Sequence, residues 1–97
     1  MANPSQFYGA GEHQLVSANT GDVQTYTPAA GIAHLVLSVE TTDARFTLGG
    51  GTPGSGVGHV LPKGALPFYV PVGKGTVLKM ASTAGTSSVM NISDVAA

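Results

Sequence analysis

Apolar and polar residues alternate with period two along most of this chain, and no stretch repeats at a helical period, which predicts an all-β fold. The clearest run is Ile32 to Glu40. Ala33, Leu35, Leu37 and Val39 share one face, with His34, Val36, Ser38 and Glu40 on the other, giving an apolar inward side and a mostly polar outward side. Arg45 to Leu48 repeats the logic with Phe46 and Leu48 inward. Thr41-Thr42-Asp43 has the length and residue types of a tight connection, so these two strands are expected to pair as a hairpin. Further on, Thr76 to Ala81 sets Leu78 and Met80 against Val77 and Lys79. Ser87 to Ser93 groups Ser88, Met90 and Ile92 opposite Val89 and Asn91. The segment between them, Ser82 to Thr86, carries a glycine suited to a turn, which predicts a second hairpin.

Asp22 to Thr27 favours strand until Pro28 stops it, and His13 to Ser17 and Ala65 to Val70 complete the set. In the last of these, Phe68 and Val70 are expected to fill the core, leaving Tyr69 for a subunit contact or a ligand groove. Pro62, Pro67 and Pro71 suit sheet edges and crossings, because proline cannot donate to a central ladder. About seven short strands result, which predicts a small antiparallel β-sandwich or jelly-roll-like barrel. Residues 1–12 show no alternation and carry Phe7-Tyr8; they read as an extended N-terminal arm that orders only against a neighbour, or else as a frayed terminus, with 13–97 as a single sandwich domain.

Composition sharpens this picture. Of 97 residues only 9% are charged, against about 25% in ordinary domains, while 42% are hydrophobic. Much of the surface is therefore Ser, Thr, Gly and exposed apolar groups, as in proteins that work packed against something; a Ser/Thr-rich monomer is the plainer alternative. The net charge is −1 and the four basic residues are scattered, so no patch neutralises a run of phosphates and nucleic-acid binding is not expected. The chain has no cysteine, which removes disulfides and thiol chemistry. Met1-Ala-Asn-Pro lacks the basic and apolar regions of a signal peptide, and the longest apolar run, near Ile32 to Val39, is too short and interrupted to cross a membrane.

Candidate chemistry is thin. His13, His34 and His59 lack ligand spacing, so surface or hydrogen-bonded roles are expected over a metal site. Gly49-Gly50-Gly51, Gly54, Gly56 and Gly58 superficially suggest a phosphate cradle, but a strand follows where a dinucleotide fingerprint needs a helix. Gly73-Lys74-Gly75-Thr76 fails the P-loop pattern because Gly75 stands where Ser or Thr must bind magnesium. Ser55, His59 and Asp43 could be drawn as a triad, yet Ser55 lacks the nucleophile elbow and the five acids are dispersed. No catalytic residues, cofactor or metal are expected, and the chain does not read as an enzyme.

One ordered set of residues carries a resemblance. Asp43-Ala44-Arg45-Phe46-Thr47-Leu48 leads into a Gly-rich turn, then Thr52-Pro53, then Gly58-His59-Val60-Leu61. Val77-Leu78-Lys79-Met80 and Val89-Met90-Asn91-Ile92 follow. The set resembles the small β-sandwich structural proteins of tailed-phage particles, over about residues 32–93, and departs from their pattern at Gly49, where relatives more often carry Asp. The resemblance implies a virion component made in the host cytoplasm: a capsid decoration or cement protein on the capsid surface, or else a head- or tail-fibre or tail accessory element. It implies the major capsid protein as partner and self-association into a symmetric cluster such as a trimer. Phe7, Tyr8, Tyr69, Gly50 and Pro53 are the candidate capsid or subunit contacts, with the Gly49–Gly58 loop as second contact or outward tip. The competing class is a small lectin-like sandwich using Tyr69, His59 and the Gly-rich loop.

Overall fold

A single fold symmetry organises the strands. The chain behaves as one long hairpin whose two arms pair about a centre at Thr52-Pro53. Its eight strands are β1 (Gly9–Ser17), β2 (Gln24–Tyr26), β3 (Ile32–Glu40), β4 (Ala44–Thr47), β5 (His59–Leu61), β6 (Phe68–Pro71), β7 (Leu78–Ser82) and β8 (Ser88–Ala96). Glu12 faces Ser93, Thr25 faces Lys79, His34 faces Pro71 and Arg45 faces Val60, all antiparallel. The ribbon then rolls up, so that β3 also pairs with β8 and β4 with β7. Two four-stranded antiparallel sheets result, in the orders β1-β8-β3-β6 and β2-β7-β4-β5. This is the strand order of an eight-stranded jelly roll. The computed structural model describes residues 9–54 and 56–96.

The period-two pattern places the core as expected. Leu35, Leu37 and Val39 of β3, Ala44 and Phe46 of β4, Leu78 and Met80 of β7, and Met90 and Ile92 of β8 are buried between the sheets. Ala33 differs. The register of β3 on β8 shifts between Ile32 and His34, so Ala33 sits at a bulge and Ile32 packs against the core in its place.

Both expected hairpins are corrected. β3 and β4 lie in different sheets, as do β7 and β8, and each short connection crosses from one sheet to the other. Each of these four strands is flanked on both sides by strands other than its expected hairpin partner, which leaves no free edge for that partner. The crossings are held by hydroxyls rather than by ladder bonds. Thr41 turns with φ of 74°, its Oγ1 donates to Ser87 O, and Ser88 Oγ donates to Thr42 O. Ser82 Oγ donates to Ala84 O and Thr86 O, while buried Ser17 Oγ accepts from Ser82 N and donates to Asp22 O. The hairpin that does form locally is β4–β5, across the Gly-rich loop.

Among the described residues the strand count is eight rather than about seven, and β1 begins at Gly9. Gly9, Gly11 and Glu12 of the expected arm are thus paired with β8, and residues 1–8 lie outside the described residues. The expectation that proline keeps to edges holds at β6, an edge strand that ends on Pro71.

Candidate interaction surface

The two sheets meet along two seams, one between β1 and β2 and the other between β5 and β6. At the first seam β8 extends past Ser93, and its alternation carries Asp94 inward in line with Met90 and Ile92. The Asp94 carboxylate is 5% exposed and accepts hydrogen bonds from the Tyr26 hydroxyl, at 2.6 Å to Oδ1 and 2.8 Å to Oδ2. His13 Nε2 lies 2.9 Å from Oδ2, and its ring packs on Tyr26 with centroids 4.7 Å apart. Burial first, then the hydrogen bond to Asp94 and its negative charge, push the Tyr26 hydroxyl well above the ordinary tyrosine range. A carboxylate so placed costs desolvation, and the two partners offset that cost. The three groups bond to one another and tie β1, β2 and β8 across the sandwich.

The second seam is built differently. Phe46, Leu61, Phe68 and Val70 line a cleft of about 600 Å³ that opens between β5 and β6, with His59 and Leu66 at its walls. Leu66 is 87% exposed, Phe68 48% and Val60 45%. Phe68 was expected in the core. It does face inward, 6.2 Å from the Phe46 ring, but the seam beside it is open and leaves half of it exposed; Val70 is buried as expected. Among the described residues lining the cleft, His59 is the one polar side chain.

The remaining candidate residues fall on other surfaces. Tyr69 is on the outer face of the first sheet, stacked on His34 at 4.7 Å, and is 54% exposed. The loop between β4 and β5 folds back on the outer face of the second sheet. Arg45 Nη1 donates to Gly58 O, Thr47 Oγ1 to Gly51 O and Lys79 Nζ to Gly50 O, and Gly54 shares a small cavity with Ala81 and Ser82. Gly50 is exposed, whereas Pro53 is fully buried, so the neighbours of Pro53 rather than its ring face outward. Gly58 has φ of 104°, and a Cβ there would lie 2.7 Å from Phe46 O, so glycine is required for the loop to approach β4 this closely. Phe7 and Tyr8 lie outside the described residues, as does Ser55 of the weighed triad. Of that triad's other members, Asp43 accepts from Lys63 N at 2.9 Å and His59 stands in the cleft. The three histidines are not brought together: His13 packs on Tyr26, His34 on Tyr69 and His59 beside Phe46.

Sequence reasoning missed the Asp94 cluster because its partners are 68 and 81 residues away in the chain. The legible signal was the position of Asp94 itself, two residues past Ile92 in the inward series. The open seam had a fainter one, the apolar run Leu66-Pro67-Phe68-Tyr69-Val70 beside three prolines. Comparison with known proteins returns no matching family model, no matching curated protein and no matching solved structure.

Proposed function

We propose that this chain is a structural protein of a tailed-phage particle, a decoration or cement protein that binds the assembled shell of major capsid protein and bridges neighbouring subunits. The observation that carries the reading is the open apolar seam on a surface poor in charge. Exposed Leu66, Phe68 and Val60 offer area to bury, and few ions near them need desolvating when another protein closes over them. Repeated over a lattice, modest contacts of this kind add through avidity and resist internal pressure on the shell. The jelly-roll order supports the reading only by analogy, because the same architecture serves capsid and lectin domains alike. The resemblance of the β4–β5 hairpin to phage structural proteins points the same way. The lectin-like alternative is weakened by placement: Tyr69, His59 and the Gly-rich loop lie on three separate surfaces.

The test is copy number in purified particles of the source, by quantitative mass spectrometry against the major capsid protein. A fixed ratio near that of the capsid protein is the expected result. A handful of copies would move the protein to a fibre or tail, and absence would end the virion reading.

A further inference from the structure

We propose that Phe7 and Tyr8 of one copy seat in the β5/β6 cleft of the next, so that copies join head to tail, each by its arm in its neighbour's seam. The inference concerns self-assembly and stands whether or not the assembled partner is a capsid. The cleft is concave, walled by Phe46, Leu61, Phe68 and Val70, with Leu66 exposed at its rim. Two concave clefts facing one another would leave their volume unfilled, whereas an aromatic pair from another copy would fill it. Chemistry matches on both sides. The cleft is lined by no Asp, Glu, Lys or Arg, and Met1 to Tyr8 contain none. His59 supplies one hydrogen-bonding group to a wall that would otherwise be wholly apolar, suited to the single hydroxyl of Tyr8.

Position decides between a chain's own arm and a neighbour's. The segment enters at Gly9, on β1, which is one edge of the first sheet; the cleft lies beside β6, the other edge. Three strand spacings separate the two, about 14 Å. Gly9 is level with Pro71, so Phe68 lies about 10 Å further along the strands and the straight-line gap is about 17 Å. Two residues of chain reach about 7 Å and a phenyl ring about 6 Å more, which falls short of a chain's own cleft. A two-fold axis that faced two clefts together would leave β1 of each copy on the far edge. Head-to-tail joining places each arm against the next cleft, and such contacts close into a ring when the rotation permits.

The experiment compares the full chain, a chain lacking residues 2–8, and Leu66→Asp by sedimentation equilibrium, with circular dichroism to verify the fold of each. Leu66 is almost fully exposed and residues 2–8 precede β1, so both variants keep every residue of the described core. The full chain should associate and each variant alone should be monomeric. Mixed together, they should form a one-to-one heterodimer, because the armless chain keeps its cleft and the Leu66→Asp chain keeps its arm. A monomeric full chain would overturn the proposal. So would association that survives loss of the arm, which would mean cleft packing on cleft, or association that survives Leu66→Asp.

Discussion

At the β1/β2 side the sheets are latched by a buried carboxylate with two partners, while at the β5/β6 side they part around an apolar cleft with half-exposed Phe68. Both seams arise from the same rolled ribbon, and both sit at the ends of sheets where the core runs out of cover. The difference lies in what the inward positions carry. Where Asp94, Tyr26 and His13 meet, polar groups satisfy one another and need no further partner. Where Phe46, Phe68 and Leu61 meet, apolar surface is left facing water, and a partner would gain by covering it. A seam closed by directional bonds is finished within the monomer; a seam lined by hydrocarbon leaves area that an added chain would bury.

The largest effect should come from undoing the latch. Asp94→Ala removes the acceptor for Tyr26 and the partner of His13 while leaving the hydroxyl half-buried, and should cost about 3 kcal/mol in urea unfolding at fixed chain concentration. A loss below about 1 kcal/mol would show that the first seam does not depend on this carboxylate. Next in size is the entry to the open seam. Gly58→Ala forces a Cβ against Phe46 O at a positive φ and should cost about 2 to 3 kcal/mol. Gly85→Ala is its control, because nothing lies within 4 Å of that position and its φ is not positive; it should stay within about 0.5 kcal/mol.

The latch also predicts a pH signature that the open seam lacks. Tyr26 ionises at higher pH in the folded chain than in the unfolded one, because burial and Asp94 both oppose its negative form. Above the ordinary tyrosine value near 10, the unfolded chain has released the proton and the folded chain still holds it, so stability falls as pH rises. Below that value the contribution is fully present. Urea midpoints should therefore drop from about pH 10 upward in the wild-type chain and drop less in Tyr26→Phe. That variant should itself lose about 1 kcal/mol at neutral pH. Equal alkaline slopes would remove Tyr26 from the account.

How far all this was legible in the sequence depends on the range of the interaction that decides it. Alternation is local, and it placed Leu35, Leu37, Val39, Phe46, Leu78, Met80, Met90 and Ile92 correctly in the core. The connection Thr41 to Asp43 read as a hairpin and is a crossing, although parity argues against the hairpin. A hairpin there would set Glu40 opposite Ala44 and turn Phe46 to the face of Ser38 and Glu40, against the burial both strands need. The β7–β8 crossing had no such sign, since inward residues on the two strands match in parity and only the presence of β2, β4, β1 and β3 on their flanks forbids the hairpin. Of the site, Tyr69 was foreseen as exposed, but the half-exposure of Phe68 was not, because it depends on a gap between strands that alternation cannot see. The Gly58-His59 pair read as part of a turn motif; its physical reason, a backbone approach of 2.7 Å, belongs to the three-dimensional fold.

The smallest expected effect on stability is the one that separates the two seams most cleanly. Leu66→Ser trims a side chain that is already 87% exposed, so its unfolding free energy should stay within about 0.5 kcal/mol of wild type. Its effect on surface chemistry should be large by comparison. A hydrophobic dye added to the folded chain lacking residues 2–8 should bind in the β5/β6 cleft, and Leu66→Ser in that background should lower the signal. Asp94→Asn, which keeps the shape of the other seam and alters only its charge, should leave dye binding unchanged. If instead Leu66→Ser destabilised the chain as much as Asp94→Ala, Leu66 would be contributing to the monomer fold. The cleft would then be a loosely packed core rather than a surface held ready for another chain.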